Sequence, residues 1–344
     1  MVPRLLVTQG DVAGIGPEII AKAWPELVAF CRPIVVGDPE HQRRAAGDLR
    51  VQPIQSIDEA RPDARTIPCL KASDVDLGNV ELGRISGAAG RAAYDFLVAA
   101  IDLTMAGRAD GIVTAPLQKE GLHAGGLDYP GHTEILAERT GTRNFAMMLW
   151  ARGPLVPHGL GVVHVTLHMA LREVFPKITT VAVREKIDLL DGVMRQLKDG
   201  PGRLVVAALN PHASDGGLFG HEEETILAPA IAAARKTGID VVGPLPSDTL
   251  FVRAQRGDFD GIVALYHDQG HIPLKLLSGL NAVNISVGLP IVRTSVAHGT
   301  AYDIAGKGIA DHRSLIEATR VAAKLIRSRS KTESRKHEST KSTK

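Results

Sequence analysis

Three apolar runs in this chain end in histidine. VVHVTLH carries His164 and His168, VVAALNPH carries His212, and GIVALYHDQGH carries His267 and His271. Each run has the length and composition of a buried strand, and the imidazoles fall at or just past its end. Neutral imidazoles delivered from three strand ends can converge on a divalent metal and leave a coordination position open for a substrate oxygen. No HExxH or similar local motif accompanies them, so spacing alone does not separate a joint metal site from hydrogen-bonded structural histidines. His164, inside its apolar stretch, is the one best suited simply to pack.

Other segments have the chemistry to hold an anion. Gly10–Glu18 (GDVAGIGPE) follows an apolar run and opens a helix, with Gly14 and Gly16 as a GxG. The third glycine of a dinucleotide fingerprint is replaced by Ile19 and no ribose-binding acid follows, so a tight turn is the better local reading. In Tyr129–Glu134 (YPGHTE), Gly131 permits close backbone approach, and His132 and Thr133 offer donors at the positive end of a helix over Ile135–Arg139. On the residues alone, Thr133 acting as a helix cap is the favoured reading. Lys275, Asn284 and Arg293 lie within 19 residues of one another. Arg293, next to Ile291 and Val292, requires an anionic partner, either an internal carboxylate or a substrate phosphate or carboxylate.

Strands and helices must present these groups, and apolar runs alternate with helical periodicity along the whole chain. Strands are expected at Arg4–Thr8, Ile34–Gly37, Gly111–Thr114, Phe145–Leu149, Leu160–Val165, Leu204–Leu209, Gly261–Leu265 and Asn281–Val287. Helices are expected from Pro17, over Ser86–Ala106, Thr179–Leu197 and Glu222–Lys236, and lastly over Asp311–Arg327. This alternation argues for an α/β protein with parallel or mixed sheets, in which ligands sit beyond the carboxyl ends of the strands. The histidine segments lie at such ends. No fixed-period repeat is present.

Composition narrows the class. With 344 residues, 44% of them hydrophobic, the chain can bury a large core without disulfide or structural metal. The net charge of +2 is unevenly spread: the tail Arg327–Lys344 has seven basic and two acidic residues and so carries +5, leaving the body near −3. That body gives no sign of a nucleic-acid surface. The organisation expected is one catalytic unit over 1–326, built of two interleaved α/β subdomains, and a disordered basic tail over 327–344. Cys31 and Cys69 form no CxxC pair and suit a reducing compartment. No secretory h-region and no run of about 18 apolar residues occurs, so a cytoplasmic protein without a membrane partner is expected.

In combination, GDVAGIGPE, YPGHTE, VTLH, LNPHASDGG, GPLPSDTLF, YHDQGHIPLK, VNISVGLPIVRTS and HGTAYDIAGKGIAD resemble the 4-hydroxythreonine-4-phosphate dehydrogenase (PdxA) family, from about Leu5 to Ala323. The last segment is also similar to the cofactor loop of the isocitrate and isopropylmalate dehydrogenases. The resemblance implies that two-domain fold, with mixed sheets and the active site in the interdomain cleft. It implies that His168, His212 and His267 bind a divalent cation (Zn, Mg or Co), with zinc favoured on ligand grounds. It places His132, Thr133, Lys275, Asn284 and Arg293 at the substrate, and Asp248 and Lys275 at the chemistry. His298, Gly299, Thr300, Ala301 and Asp303 would face NAD or NADP. It further implies a homodimer with the active site at the subunit interface, so that metal ligands come from both chains. Gln9 and Val12 depart from the family pattern at the first turn. YHDQGHIPLKLL and YPGHTE look closer to a branch that oxidises phosphorylated four-carbon sugar acids. Retention of His132, Thr133, Arg293 and Thr294 favours a phosphorylated substrate over the dihydrodiols of a further branch.

The reaction implied is metal-assisted oxidation of a secondary hydroxyl by NAD, with decarboxylation, converting 4-phosphooxy-L-threonine to 3-amino-2-oxopropyl phosphate. The alternative substrate is 4-phospho-D-threonate or 4-phospho-D-erythronate. Two readings of another class compete: a zinc hydrolase, which needs no NAD, and a phosphosugar-binding protein, which needs no metal.

Overall fold

The computed structural model of the protein describes residues 2–341, with side chains for all of them except Leu280 and 332–341. They fall into two compact units, Met1–Arg143 with Leu289–Lys344, and Asn144–Gly288. The first unit opens with β1 (Arg4–Thr8), α1 (Gly16–Leu27), β2 (Arg32–Gly37), α2 (Pro39–Ala45), β3 (Arg50–Ile54) and β4 (Thr66–Lys71). It continues with α3 (Gly87–Met105), β5 (Gly111–Thr114), α4 (Lys119–Ala124) and α5 (His132–Thr140). The second unit contains β6 (Ala146–Gly153), β7 (Val156–His164), α6 (Leu171–Val174), α7 (Thr180–Lys198), β8 (Leu204–Ala207) and α8 (Ala228–Lys236). It ends with β9 (Val241–Leu245), α9 (Ser247–Gln255), β10 (Gly261–Ala264), α10 (His267–Ser278) and β11 (Val283–Val287). The chain then returns to the first unit for β12 (Val292–Val296) and α11 (Arg313–Lys341).

The strands of the first unit run parallel in the order β3-β4-β2-β1-β5-β12. In the second unit the order is β11-β6-β7-β10-β8-β9, with β6 antiparallel to both neighbours and the rest parallel. Parallel strands are covered on both faces, which is why Leu5, Leu6, Val7, Val205, Val206, Ile262 and Val263 are all fully buried. Helix α1 presents Ile19, Ile20, Ala23, Trp24 and Leu27 at helical spacing to that core. Trp24 is fully buried and satisfies its indole by donating to the Asp63 and Thr66 carbonyls.

Several elements differ from what the residue pattern suggests. The segment after Tyr266 is not a loop but α10, so His267 and His271 stand one turn apart on a helix; Gly270 and Pro273 disguise it. The helix expected over Glu222–Lys236 divides into a π-helical turn, Glu223–Leu227, and α8. Strands β3 and β4 contain Pro53 and Pro68; β3 is an edge strand, where a missing N–H is tolerated. The start of the basic tail is helical rather than disordered, because α11 continues through it, and Arg327 and Arg329 donate to the Phe30 and Pro290 carbonyls. Residues 342–344 of the tail lie outside the described residues.

The segment that leads to His132 is set by a close helix crossing. A Cβ on Gly90 of α3 would sit 2.0 Å from the Gly121 carbonyl oxygen of α4, and one on Gly87 would sit 2.6 Å from that of Ala124. Alanine at position 90 gains about 1 kcal/mol of helix propensity, but backbone blocks the added methyl. Gly90→Ala is therefore expected to lower the thermal unfolding midpoint by several degrees; a raised midpoint would show that the crossing is not tight.

Candidate active site

Two of the candidate ligands meet in the second unit. The end of β7 is tied to the end of β10 by Val165 and Thr166, whose N–H groups donate to the Ala264 and Leu265 carbonyls at 2.9 and 3.1 Å. The Thr166 hydroxyl also donates to the Leu265 carbonyl, at 2.7 Å. This brings His168 and His267 together, with ring centroids 5.7 Å apart. Two imidazoles sharing one tetrahedral metal at ~2.1 Å would have centroids roughly 5 Å apart, so the pair fits two positions of a coordination shell. A cavity of about 370 Å³ lies beside them, lined by both histidines with Met169, Leu171, Tyr266 and Asp268.

The surroundings of His267 are built to orient it. Its Nδ1 pairs with the Asp268 carboxylate at 2.7 Å, and His271, one turn along, stacks on it at 3.8 Å and 13°. A carboxylate on Nδ1 leaves Nε2 as the nitrogen that could ligate a metal. His271 Nδ1 in turn pairs with His164 Nε2 at 3.1 Å. His164 thus does more than pack: it anchors the second imidazole. Gly270 permits this, since a Cβ there would lie 2.4 Å from His164 Nε2. Burial and the neighbouring imidazoles push His164 well below the ordinary histidine range, and burial with the His267 and Lys275 charges pushes His271 down to about 4. Lys275 follows on the same face of α10 and is exposed.

His212 does not join this pair. Among the described residues, no three His, Cys, Asp or Glu side chains are grouped to hold a metal. His212 follows β8 in an exposed turn, where His212, Ala213, Ser214 and Asp215 all have left-handed φ (52°, 56°, 74° and 44°). Each non-glycine residue so held costs on the order of 1 kcal/mol. Asp248 is the second residue of α9 and is exposed. Gln269, missing from the sequence-derived set, links these segments. Its buried carboxamide accepts from Leu265 N at 2.6 Å and donates to the Ala208 carbonyl and Ser247 hydroxyl at 2.7 and 2.9 Å. The Oδ1 of Asn284, on β11, is buried without a hydrogen-bond partner among the described residues. Such an atom suits a ligand donor.

The anion-binding candidates of the first unit also cluster. Arg293 on β12 is 1% exposed and donates to the Thr114 hydroxyl at 2.6 Å. Burial pushes the guanidinium down to about 9, with the Glu134 carboxylate opposing. His132 is held well below its ordinary range by burial and by the Arg293 charge, against a hydrogen bond with the Ala115 backbone. His132 is the first residue of α5; Gly131 occupies the cap position without a side-chain hydrogen bond. Thr133 is therefore not the cap, and the helix terminus and two cationic or donor side chains face one locality.

The Gly10–Glu18 turn braces the segment expected to face the dinucleotide. Ile15 N donates to the Thr300 carbonyl at 3.0 Å, so the turn does not offer a free phosphate cradle there. Tyr302 donates to Asp11 at 2.7 Å, and Glu18 accepts from Ala310 N at 2.8 Å. Burial raises the Asp11 carboxyl, partly offset by Tyr302 and by the Ala13 N–H. Within the braced segment Thr300 is buried, Ala301 is left-handed (φ 47°), Gly299 and Asp303 are exposed, and the His298 ring contacts the Gly299 carbonyl. Gln9 extends the brace, accepting from Asp38 N and donating to Gln42.

The mixed α/β architecture is that of the β-decarboxylating dehydrogenases. One of these, from Thermococcus kodakarensis, aligns with TM-score 0.51 over 93% of this chain and 82% of that chain at 15% identity, a likeness of fold alone. The chain belongs to the PdxA family: the model for "Pyridoxal phosphate biosynthetic protein PdxA" matches residues 29–322. It is 47% identical to the D-threonate 4-phosphate dehydrogenase of Cupriavidus necator, over 94% of this chain and 97% of that protein. It is 46% identical to the 4-hydroxythreonine-4-phosphate dehydrogenase of Beijerinckia indica, over 93% and 94%. The crystal structure of a 4-hydroxythreonine-4-phosphate dehydrogenase from Klebsiella pneumoniae aligns with TM-score 0.83 at 39% identity, over 95% of this chain and 98% of that chain. The protein is an enzyme of this dehydrogenase family, which implies a nicotinamide cofactor and a divalent metal in general terms. No helix among the described residues is long and apolar enough to cross a membrane.

The depressed His164 and His271 make stability depend on pH. The folded state holds both neutral, whereas the unfolded chain protonates them near 6.5. Their contribution is complete above that value and is lost as pH falls below it. Urea midpoints of the metal-free protein should fall from pH 7 to pH 4.5, and His271→Gln should flatten the dependence. An unchanged slope in His271→Gln would remove His271 from the account.

Proposed function

We propose that the protein catalyses NAD-dependent, divalent-metal-dependent oxidation, with decarboxylation, of a four-carbon hydroxy acid phosphorylated at its terminal carbon. The principal substrate reading is 4-phosphooxy-L-threonine, giving 3-amino-2-oxopropyl phosphate, carbon dioxide and NADH. The observation that carries the phosphorylated class is the buried Arg293 beside His132 at the start of α5, a locality that a doubly charged anion would stabilise. A second reading, 4-phospho-D-threonate, is favoured by the 47% identity to the Cupriavidus enzyme that bears that name.

In this reading Arg293, His132 and Thr133 hold the phosphate, and Asn284 and Lys275 orient the remainder. Binding energy at the phosphate fixes the reacting carbon, which lowers the entropic part of the barrier. His168 and His267 from one chain, with His212 from a second, hold the metal; a homodimer thereby completes the shell that one chain leaves at two histidines. Bound there, the metal would favour the hydroxyl's ionised form and the dinucleotide would accept hydride. Asp248 or Lys275 takes the hydroxyl proton. A carboxylate β to the new ketone can then depart as carbon dioxide. The segment His298–Asp303 faces the dinucleotide, with NAD preferred to NADP and zinc to magnesium or cobalt.

The test is NADH formation from 4-phosphooxy-L-threonine, 4-phospho-D-threonate and 4-phospho-D-erythronate, each with and without chelator. One phosphorylated acid should give chelator-sensitive NADH and name the substrate. His168→Ala should abolish turnover, and Arg293→Ala should lower kcat/KM on the order of 100-fold, the worth of a charge-assisted contact. Activity on an unphosphorylated acid that survives Arg293→Ala would overturn the phosphate assignment.

A further inference from the structure

Among the described residues, the turn that carries His212 bonds to itself only on its exit side, where Gly217 N and Phe219 N donate to the Ser214 carbonyl at 3.0 and 3.3 Å. Four successive non-glycine residues with left-handed φ would relax without restraint, and His212 and Asp215 among them are exposed. The restraint on the entry comes from one buried carboxylate. Glu223, 6% exposed, accepts from Leu209 N at 2.8 Å and Asn210 N at 2.7 Å through one oxygen, and from Asn210 Nδ2 at 2.9 Å through the other. Glu222 takes the second Nδ2 hydrogen at 2.8 Å. These donors are the last two residues before Pro211, so the entry to the turn is fixed in position and direction. The exit is closed by Ser214, whose hydroxyl donates to the Gly220 carbonyl.

Glu223 reaches this place because it begins the π-helical turn Glu223–Leu227. A π turn inserts one residue into the helix and resets which side chain faces a given direction. Such turns cost hydrogen-bond quality and recur at functional sites. Here the distortion aims a carboxylate at two backbone N–H groups in line.

We propose that Glu223 is the positioning residue for His212, holding the strained turn so that the imidazole is presented in the geometry a metal requires. The proposal rests on the reading of His212 as a metal ligand. Glu223 touches neither metal nor substrate; it acts through Asn210 and the backbone, as the outer shell of a metal site does.

The experiment measures zinc affinity of the full-length protein by competition with a chromophoric chelator, and amide hydrogen exchange across residues 209–217. Glu223→Gln replaces one accepting oxygen with a donor that opposes Asn210. It should raise the zinc Kd about 10- to 100-fold, the usual effect of losing an outer-shell partner. It should also speed exchange across 209–217 while leaving β10 and α7 unchanged. A zinc Kd equal to that of the wild type overturns the proposal. If Glu223→Gln does not fold, Glu223→Asp, whose shorter carboxylate cannot keep the contacts to Leu209 N, Asn210 N and Asn210 Nδ2 together, carries the same test with a smaller rise expected; an unchanged Kd there is equally decisive. His212→Ala separates the two levels. Wild-type zinc affinity in His212→Ala removes the ligand reading and the proposal with it. Weak binding in His212→Ala with wild-type affinity in the Glu223 variant removes only the proposal.

Discussion

One carboxamide holds the second unit's chemistry together. Gln269 is buried at the first turn of α10, and its three hydrogen bonds reach the end of β10, the end of β8 and the start of α9. Those three places immediately precede His267, the His212 turn and Asp248. A carboxamide suits the position because it accepts and donates in fixed, opposite directions. A carboxylate would meet the Ala208 carbonyl with a second acceptor, and an apolar residue would leave Leu265 N and the Ala208 carbonyl without this partner. The Ser247 hydroxyl, which also donates to Ala208, closes the triangle at 3.0 Å. Beyond the ladders, the Thr166 hydroxyl ties the ends of β7 and β10, and Gln269 joins β10, β8 and α9 where the ladders stop.

With that frame fixed, the local deviations fall where residues of chemical interest leave it. The four left-handed residues and the π turn both lie within the stretch from β8 to α8. On α10 the deviation takes another form: an imidazole stack of His267 on His271, with His164 below. Stacking imidazole rings gives little attraction compared with an apolar core of equal volume. Its return is directional, because each ring's rotation is set by the next, ending in a fully buried strand residue. Rigid presentation and stability are in tension here, as buried polar networks generally are.

Much of this was legible in the residues. Strand ends carrying His168 and His212 follow from runs of Val, Ile and Ala bounded by turn residues, and the alternation with helical periods fixes the α/β class. What escaped has identifiable physical causes. Helix α10 contains Gly270 and Pro273, which read locally as breakers; the glycine is there because His164 leaves no room for a Cβ. The extra residue in the π turn changes no composition and leaves no periodic mark over five residues. Gln269 is one polar residue among several in HDQGH, and its value lies in partners 22 and 61 residues away. The GDVAGIGPE segment was legible as a tight turn from its missing third glycine; what the residues did not show is why Gly14 and Gly16 are small, namely that the Thr300 and Gln9 carbonyls lie 2.8 and 2.1 Å from where a Cβ would stand.

The first unit solves a different electrostatic problem. A guanidinium in a parallel strand, 1% exposed, is costly unless opposite charge lies near. Glu134 supplies part of that charge but sits on α5 rather than in the strand, and His132 is kept neutral by burial and, after it, by the same cation. A neutral imidazole can donate a hydrogen bond to an oxyanion without adding repulsion toward Arg293. The N-terminus of α5, with no side chain in its cap position, contributes backbone donors and the positive end of the helix dipole. Each of these features alone is common in structural roles. Together they place a buried cation, a neutral imidazole and a helix N-terminus in one locality. In the proposed reading, that grouping is what would tie the unit's packing to the recognition of a phosphorylated acid.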